Sequence, residues 1–136
     1  MEGDKFILII DDSDVIRNSL NTFCKKRGYK AVLCETMEEA EAKYKEGPEK
    51  YKAIFIDYNL DDSDLSKNGF NMADKLRAIH PIKGKLVIMS GGKFYSFYTL
   101  IDEVEEDEYK QHGFCTYMKK PVPKKAFEQL MNSFGL

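Results

Sequence analysis

Phe6-Ile7-Leu8-Ile9-Ile10-Asp11-Asp12-Ser13-Asp14 is the stretch that decides the fold. Five consecutive apolar residues predict a strand covered on both faces, because a half-exposed strand would alternate with polar residues. The run is too short for a membrane span or a signal segment. Two carboxylates follow it at once. Ile16, Leu20, Phe23 and Cys24 then recur at helical spacing, and Gly28 supplies a C-terminal stop.

The alternation repeats along the chain. Lys30 to Cys34 fits a second strand, and Thr36 with Glu39 forms a capping box that opens a helix through Met37, Ala40 and Tyr44. Gly47-Pro48 ends that helix. A third strand over Ala53 to Ile56 stops at Asp57, and a long polar loop runs from Tyr58 to Asn68. The next helix carries Phe70, Ala73, Leu76 and Ile79 up to His80-Pro81. Leu86 to Met89 is a fourth strand, ending at Ser90-Gly91-Gly92. A helical stretch is expected from about Phe94 to Gln111, with Phe94, Tyr95, Phe97 and Tyr98 packing on the sheet and the acidic run after Glu103 in solvent. Phe114 to Met118 is the fifth strand. Phe127, Leu130, Met131 and Phe134 mark a last amphipathic helix. Five strand-then-helix units predict an α/β fold, a doubly wound parallel sheet in one domain over residues 1–136.

Composition narrows the function. The chain has 136 residues with a net charge of −2 and a pI near 5.7, so it lacks the basic footprint of a nucleic-acid binder. Cys24, Cys34 and Cys115 have no metal-ligand spacing and are expected as small buried hydrophobes in a reducing, cytoplasmic compartment. His80 and His112 have no such spacing either and are read as helix ends.

In an open parallel sheet, ligands bind beyond the carboxyl ends of the strands. The residues there are Asp11, Asp12, Cys34-Glu35, Asp57, Ser90 and Lys119-Lys120-Pro121. Alone, each has an ordinary explanation: a helix N-cap, a turn residue, a solvated lysine. Coincidence at the ends of four strands points to one crevice. Two carboxylates about 4 Å apart repel by roughly 4 kcal/mol at an effective dielectric of 20. Such a crevice calls for a counter-charge, and a hard cation such as Mg²⁺ takes oxygen ligands while keeping positions open for a phosphate. A carboxylate beside a metal, a lysine and a hydroxyl is a candidate nucleophile toward a phosphoryl group.

FILIIDDSD (6–14), AIFIDYNL (53–60), LVIMSGG (86–92) and YMKKPV (117–122), in this order, resemble the response-regulator receiver domain of two-component signalling. The similarity runs from about Lys5 to Phe134. It implies a flavodoxin-like sheet with strand order 2-1-3-4-5. It implies that Asp57 is the phosphoacceptor, that Asp12 is a direct Mg²⁺ ligand, and that Asp11 reaches the metal through water. Asn59 would complete the metal shell with its backbone carbonyl. Ser90 would bond the phosphoryl oxygen, Lys120 would be the site lysine, Pro121 would follow it through a cis peptide, and Tyr117 would be the switch aromatic. The implied partners are a sensor histidine kinase or histidine phosphotransfer protein, and a downstream protein reading helix 4, strand 5 and helix 5. Neither nucleic acid nor membrane is among them. Such a domain signals by changing shape and is not an enzyme with a separate substrate.

Three departures from the family pattern stand out. The loop Asp61 to Asn68 is longer than usual, Gly91 replaces the common alanine, and the stretch from Gly92 to Phe114 is extended. Gly91 is expected to give its loop extra freedom. Two rival readings differ in class. A pseudo-receiver that only binds a partner would be favoured by loss of Asp57 or Lys120, and both are present. A flavin carrier wants a hydroxyl- and glycine-rich loop after strand 1, where Asp11-Asp12-Ser13-Asp14 would repel a phosphate.

Overall fold

A computed structural model describes residues 5–61, 63–91, 94–95, 100–101 and 106–136. Its elements run β1 (Phe6–Ile10), α1 (Asp14–Lys26), β2 (Lys30–Cys34), α2 (Met37–Glu46), a 3-10 turn (Pro48–Lys50), β3 (Tyr51–Asp57), α3 (Gly69–Ile79), β4 (Lys85–Ser90), β5 (Phe94–Tyr95), β6 (Leu100–Ile101), α4 (Glu106–Gln111), β7 (Thr116–Lys119) and α5 (Lys124–Phe134). Five parallel strands form one sheet in the order β2-β1-β3-β4-β7. With β7 as the fifth sheet strand, this is the expected order 2-1-3-4-5.

The continuous apolar runs exist because the sheet is covered on both sides. Within β1, Ile7 and Ile9 join Ala53, Phe55, Val87 and Met89 in a core closed by Leu20 and Cys24 of α1 and Phe127 and Met131 of α5. The alternate residues Leu8 and Ile10 join Ile54, Ile56, Leu86 and Ile88 under Met37, Ala40 and Tyr44 of α2 and Phe70, Ala73 and Leu76 of α3. Side chains cap the starts of the first three helices. Ser13, Thr36 and Asn68 accept hydrogen bonds from the backbone N–H groups of Ile16, Glu39 and Asn71, respectively, as N-caps of α1, α2 and α3. Gly28 adopts φ +83° behind α1, the left-handed conformation glycine takes without strain.

Two expectations need correction. The stretch from Phe94 to Gln111 is not one helix: Phe94–Tyr95 pairs antiparallel with Leu100–Ile101, and among the described residues of the stretch Glu106–Gln111 is the helical part. Aromatic residues suit a pleated ribbon as well as a helix face, and here the pairing with Leu100–Ile101 decides between them. The packing expected of Phe94, Tyr95, Phe97 and Tyr98 and the solvent exposure of the run after Glu103 fall mostly outside the described residues. The second correction is Cys115, which is exposed, whereas Cys24 and Cys34 are buried. It lies just before β7, where its N–H bonds to the Leu86 carbonyl. His80 caps the C-terminus of α3, and His112 follows α4 with its ring stacked on Phe70 at 4.1 Å.

Candidate functional site

The carboxyl ends of β1, β3, β4 and β7 bring the expected residues together. Asp11, Asp57 and Ser90 are the buried polar residues among those described, exposed by 0%, 3% and 1%. Asp11 follows β1, Asp57 ends β3, Ser90 ends β4, and Lys120 follows β7. Neighbouring strands in register place these ends side by side: Asp57 is opposite Met89, and Ser90 is opposite Lys119. The Lys120 Nζ atom is 3.0 Å from Asp11 Oδ2 and 3.0 Å from Asp57 Oδ1. The Lys120–Pro121 peptide is cis, as the resemblance implied.

Charge balance explains the local chemistry. Burial, and then the neighbouring Asp11, push the Asp57 carboxyl up to about 7, against the opposing pull of Lys120. Burial pulls the Lys120 ammonium down, but Asp57 and Asp11 outweigh it and leave Lys120 above its ordinary value. Lys120 is therefore a charged counter-ion at neutral pH, shared by two carboxylates.

Asp11, Asp12 and Asp57 each offer a carboxylate oxygen, and these atoms lie within 4.8 Å of one another. An all-oxygen set of this charge fits a hard divalent cation. The three residues differ in burial. Asp11 Oδ1 accepts the Ser13 N–H at 2.9 Å while Oδ2 accepts from Lys120. Asp12 is exposed.

The loop after Asp57 is tied to the site. Asn59 and Asn68 face each other in an antiparallel bridge, flanked by the bonds Leu60 N–H to Lys67 C=O and Gly69 N–H to Tyr58 C=O. In such a pair the Asn59 carbonyl is not spent on the bridge. Asp61 and Asp64 each accept from the backbone and hydroxyl of a serine two residues on, Ser63 and Ser66. Leu65, between them, is exposed. Tyr117 on β7 is half-buried against the core that contains Ile10, Ile56 and Ile88.

Gly91 plays a different part from the one expected. A methyl group there would lie 2.9 Å from Lys120 Cβ, so the glycine serves close approach of the site lysine to β4.

Two contributors escaped the sequence reading. Arg17 reaches back from α1 to the Asp11 carbonyl at 2.6 Å. Gly69 starts α3 against the end of β3, where a methyl group would sit 2.8 Å from the Asp57 carbonyl oxygen and 2.5 Å from Ile88 Cδ1. An N-cap asparagine followed by glycine was the available signal for the second. Helix propensity alone would make Gly69→Ala stabilising by about 1 kcal/mol. The clash reverses the sign, and we expect a loss of about 2 kcal/mol in urea unfolding together with shifted amide signals at Asp57 and Tyr58. A stabilised Gly69→Ala protein would show that the approach is not tight.

Solved structures similar to this one share its fold. A receiver domain from Methanospirillum hungatei is 23% identical with a TM-score of 0.72, covering 97% of this chain and 94% of its own. The chemotaxis protein CheY4 of Vibrio cholerae is 18% identical with a TM-score of 0.75, covering 96% and 98%. A response regulator from Burkholderia pseudomallei, solved with a phosphorylated aspartic acid and a calcium ion, is 24% identical with a TM-score of 0.68, covering 94% of this chain and 65% of its own. No curated protein matches the chain significantly. Residues 7–132 match the family model for the response regulator receiver domain, and the chain belongs to that family.

Proposed function

We propose that residues 1–136 act as one receiver unit that takes a phosphoryl group on Asp57 from a phosphohistidine donor, with Mg²⁺ bound. The observation that carries this reading is the shared lysine: Lys120 lies 3.0 Å from both Asp11 and Asp57, beside three carboxylates that converge within 4.8 Å. The Burkholderia relative carries a phosphorylated aspartic acid and a calcium ion on the same fold.

Asp12, Asp57 and the Asn59 carbonyl would hold the cation directly. Asp11, with both carboxylate oxygens engaged by Ser13 and Lys120, would act through water. When bound, Mg²⁺ offsets charge between the carboxylates and the incoming phosphoryl oxygens. In the transfer, a carboxylate oxygen of Asp57 forms the new P–O bond as the P–N bond of the donor breaks. With the donor's other ring nitrogen carrying a proton, the bonding pair returns to the imidazole nitrogen and leaves a neutral histidine. Lys120 supplies a point charge toward the phosphoryl group, and the Ser90 hydroxyl a hydrogen-bond donor. Movement of Ser90 toward the phosphoryl group would open room beside β4 for Tyr117. The surface of α4, β7 and α5 would then change for a downstream protein partner. The donor would be a histidine kinase or histidine phosphotransfer protein in the cytoplasm. Among the described residues no helix is long and apolar enough to cross a membrane.

The chain has no tryptophan, so amide chemical shifts are the practical readout. Beryllofluoride with Mg²⁺ should shift the amides of Asp57, Ser90, Tyr117 and Lys119, and beryllofluoride without a divalent metal should not. No metal-dependent shift around Asp57 would favour a pure binding module instead.

A further inference from the structure

We propose that Arg17 is a positioning residue for the cation crevice, holding the Asp11–Asp12 peptide so that the Asp12 carboxylate meets the metal. This rests on reading the crevice as the cation-binding phosphoacceptor site. Arg17 lies in the first turns of α1, with its side chain only 12% exposed. Its Nη1 donates to the Asp11 carbonyl at 2.6 Å, and its Nη2 donates to the Asp14 carboxylate.

The Asp11 carbonyl lies outside the helix ladder, which begins with the Arg17 N–H on the Ser13 carbonyl. The rest of Asp11 is already fixed. Its N–H bonds the Cys34 carbonyl at 3.0 Å, and its carboxylate accepts from Ser13 and Lys120. The carbonyl therefore sets the peptide plane that leads into Asp12. Asp12 is the exposed member of the carboxylate trio, and the peptide plane before it sets where its side chain starts. The charge-assisted bond from the largely buried guanidinium to that carbonyl fixes the plane, and the exposed Asp14 pair adds little to it.

A bland role for Arg17 makes the opposite prediction. If it were only a positive charge beside an acidic crevice, removing it would tighten binding of a divalent cation. If it positions Asp12, removing it weakens that binding. Arg17→Met keeps the aliphatic stem and removes the donors. By titration calorimetry at fixed salt, its Mg²⁺ dissociation constant should rise about ten-fold. The limiting rate of Asp57 phosphorylation by acetyl phosphate at saturating Mg²⁺ should stay within about two-fold of the parent.

Arg17→Lys, which keeps the charge and one donor, should recover part of the loss. Asp14→Asn removes only the exposed ion pair and should leave the Mg²⁺ constant within about two-fold. An Arg17→Met protein that binds Mg²⁺ as tightly as the parent, or more tightly, overturns the proposal. So does an Asp14→Asn loss equal to that of Arg17→Met. A parent that binds Mg²⁺ but takes no phosphoryl group overturns the phosphoacceptor reading alone, because the calorimetric comparison still stands. A parent that binds no Mg²⁺ overturns both.

Discussion

Asp57→Asn should unfold at a higher temperature than the parent at pH 8 without divalent metal, and the gap should close as the pH falls toward 4. The sign follows from the proton balance. The Asp57 carboxyl is held up at about 7, first by burial and then by Asp11, against an ordinary value of 3.8. The native state then binds that proton more tightly than the unfolded chain. Stability is greatest below the ordinary value, falls as the pH rises from about 4 to 7, and is flat above. Ionising Asp57 in this crevice costs on the order of 2–4 kcal/mol. Asparagine has the same shape and no charge to bury, and Lys120 keeps Asp11 as its partner. The midpoint difference at pH 8 should be roughly 5–10 °C. Mg²⁺ should raise the parent's midpoint and leave that of Asp57→Asn nearly unchanged. Equal midpoints at pH 8, or a less stable asparagine variant, would contradict this electrostatic account.

Lys120→Met should move stability the other way. The ammonium is raised above its ordinary value by Asp57 and Asp11, so its contribution is fully present at neutral pH and is lost only as the pH climbs past it. Removing it leaves Asp11 and Asp57 buried together without their shared cation. Breaking a buried pair in this way typically costs about 3–5 kcal/mol, far more than an exposed ion pair is worth. The loss should be largest at pH 8 and smaller at pH 5, where Asp57 takes up a proton. Mg²⁺ should restore part of it as a substitute counter-charge. Chemical denaturation at the two pH values, with and without Mg²⁺, measures all of this. A Lys120→Met protein within about 1 kcal/mol of the parent at pH 8 without metal would show that Lys120 is not the counter-ion.

The sheet was legible because its strands are buried on both faces. Phe6–Ile10, Ala53–Ile56 and Leu86–Met89 have no polar alternation, and the polar residue after each run marks where the strand leaves the core. That same boundary made Asp11, Asp57 and Ser90 readable as one cluster before any distance was known. Helix starts were legible at Thr36, where side-chain chemistry and spacing agree. The segment after Gly92 was not. Its aromatic and acidic residues suit a helix face as well as a ribbon, and a two-residue antiparallel pair is decided by its partner strand rather than by periodicity. Arg17 was missed for a related reason. An arginine on a helix reads as solvated surface, and its bond to Asp11 depends on the angle at which α1 leaves β1. Gly91 was misread because loop freedom and close approach call for the same residue. Only the 2.9 Å to Lys120 separates them.

The central claim is that Asp57 accepts a phosphoryl group in a metal-dependent reaction. Incubation with acetyl phosphate and Mg²⁺, followed by intact-mass and peptide mass spectrometry, tests it directly. The expected result is the mass of one phosphoryl group on the peptide containing Asp57, lost on hydroxylamine treatment, absent when Mg²⁺ is chelated, and absent in Asp57→Asn. Label on another residue, label without a divalent metal, or an Asp57→Asn protein modified as readily as the parent would contradict it.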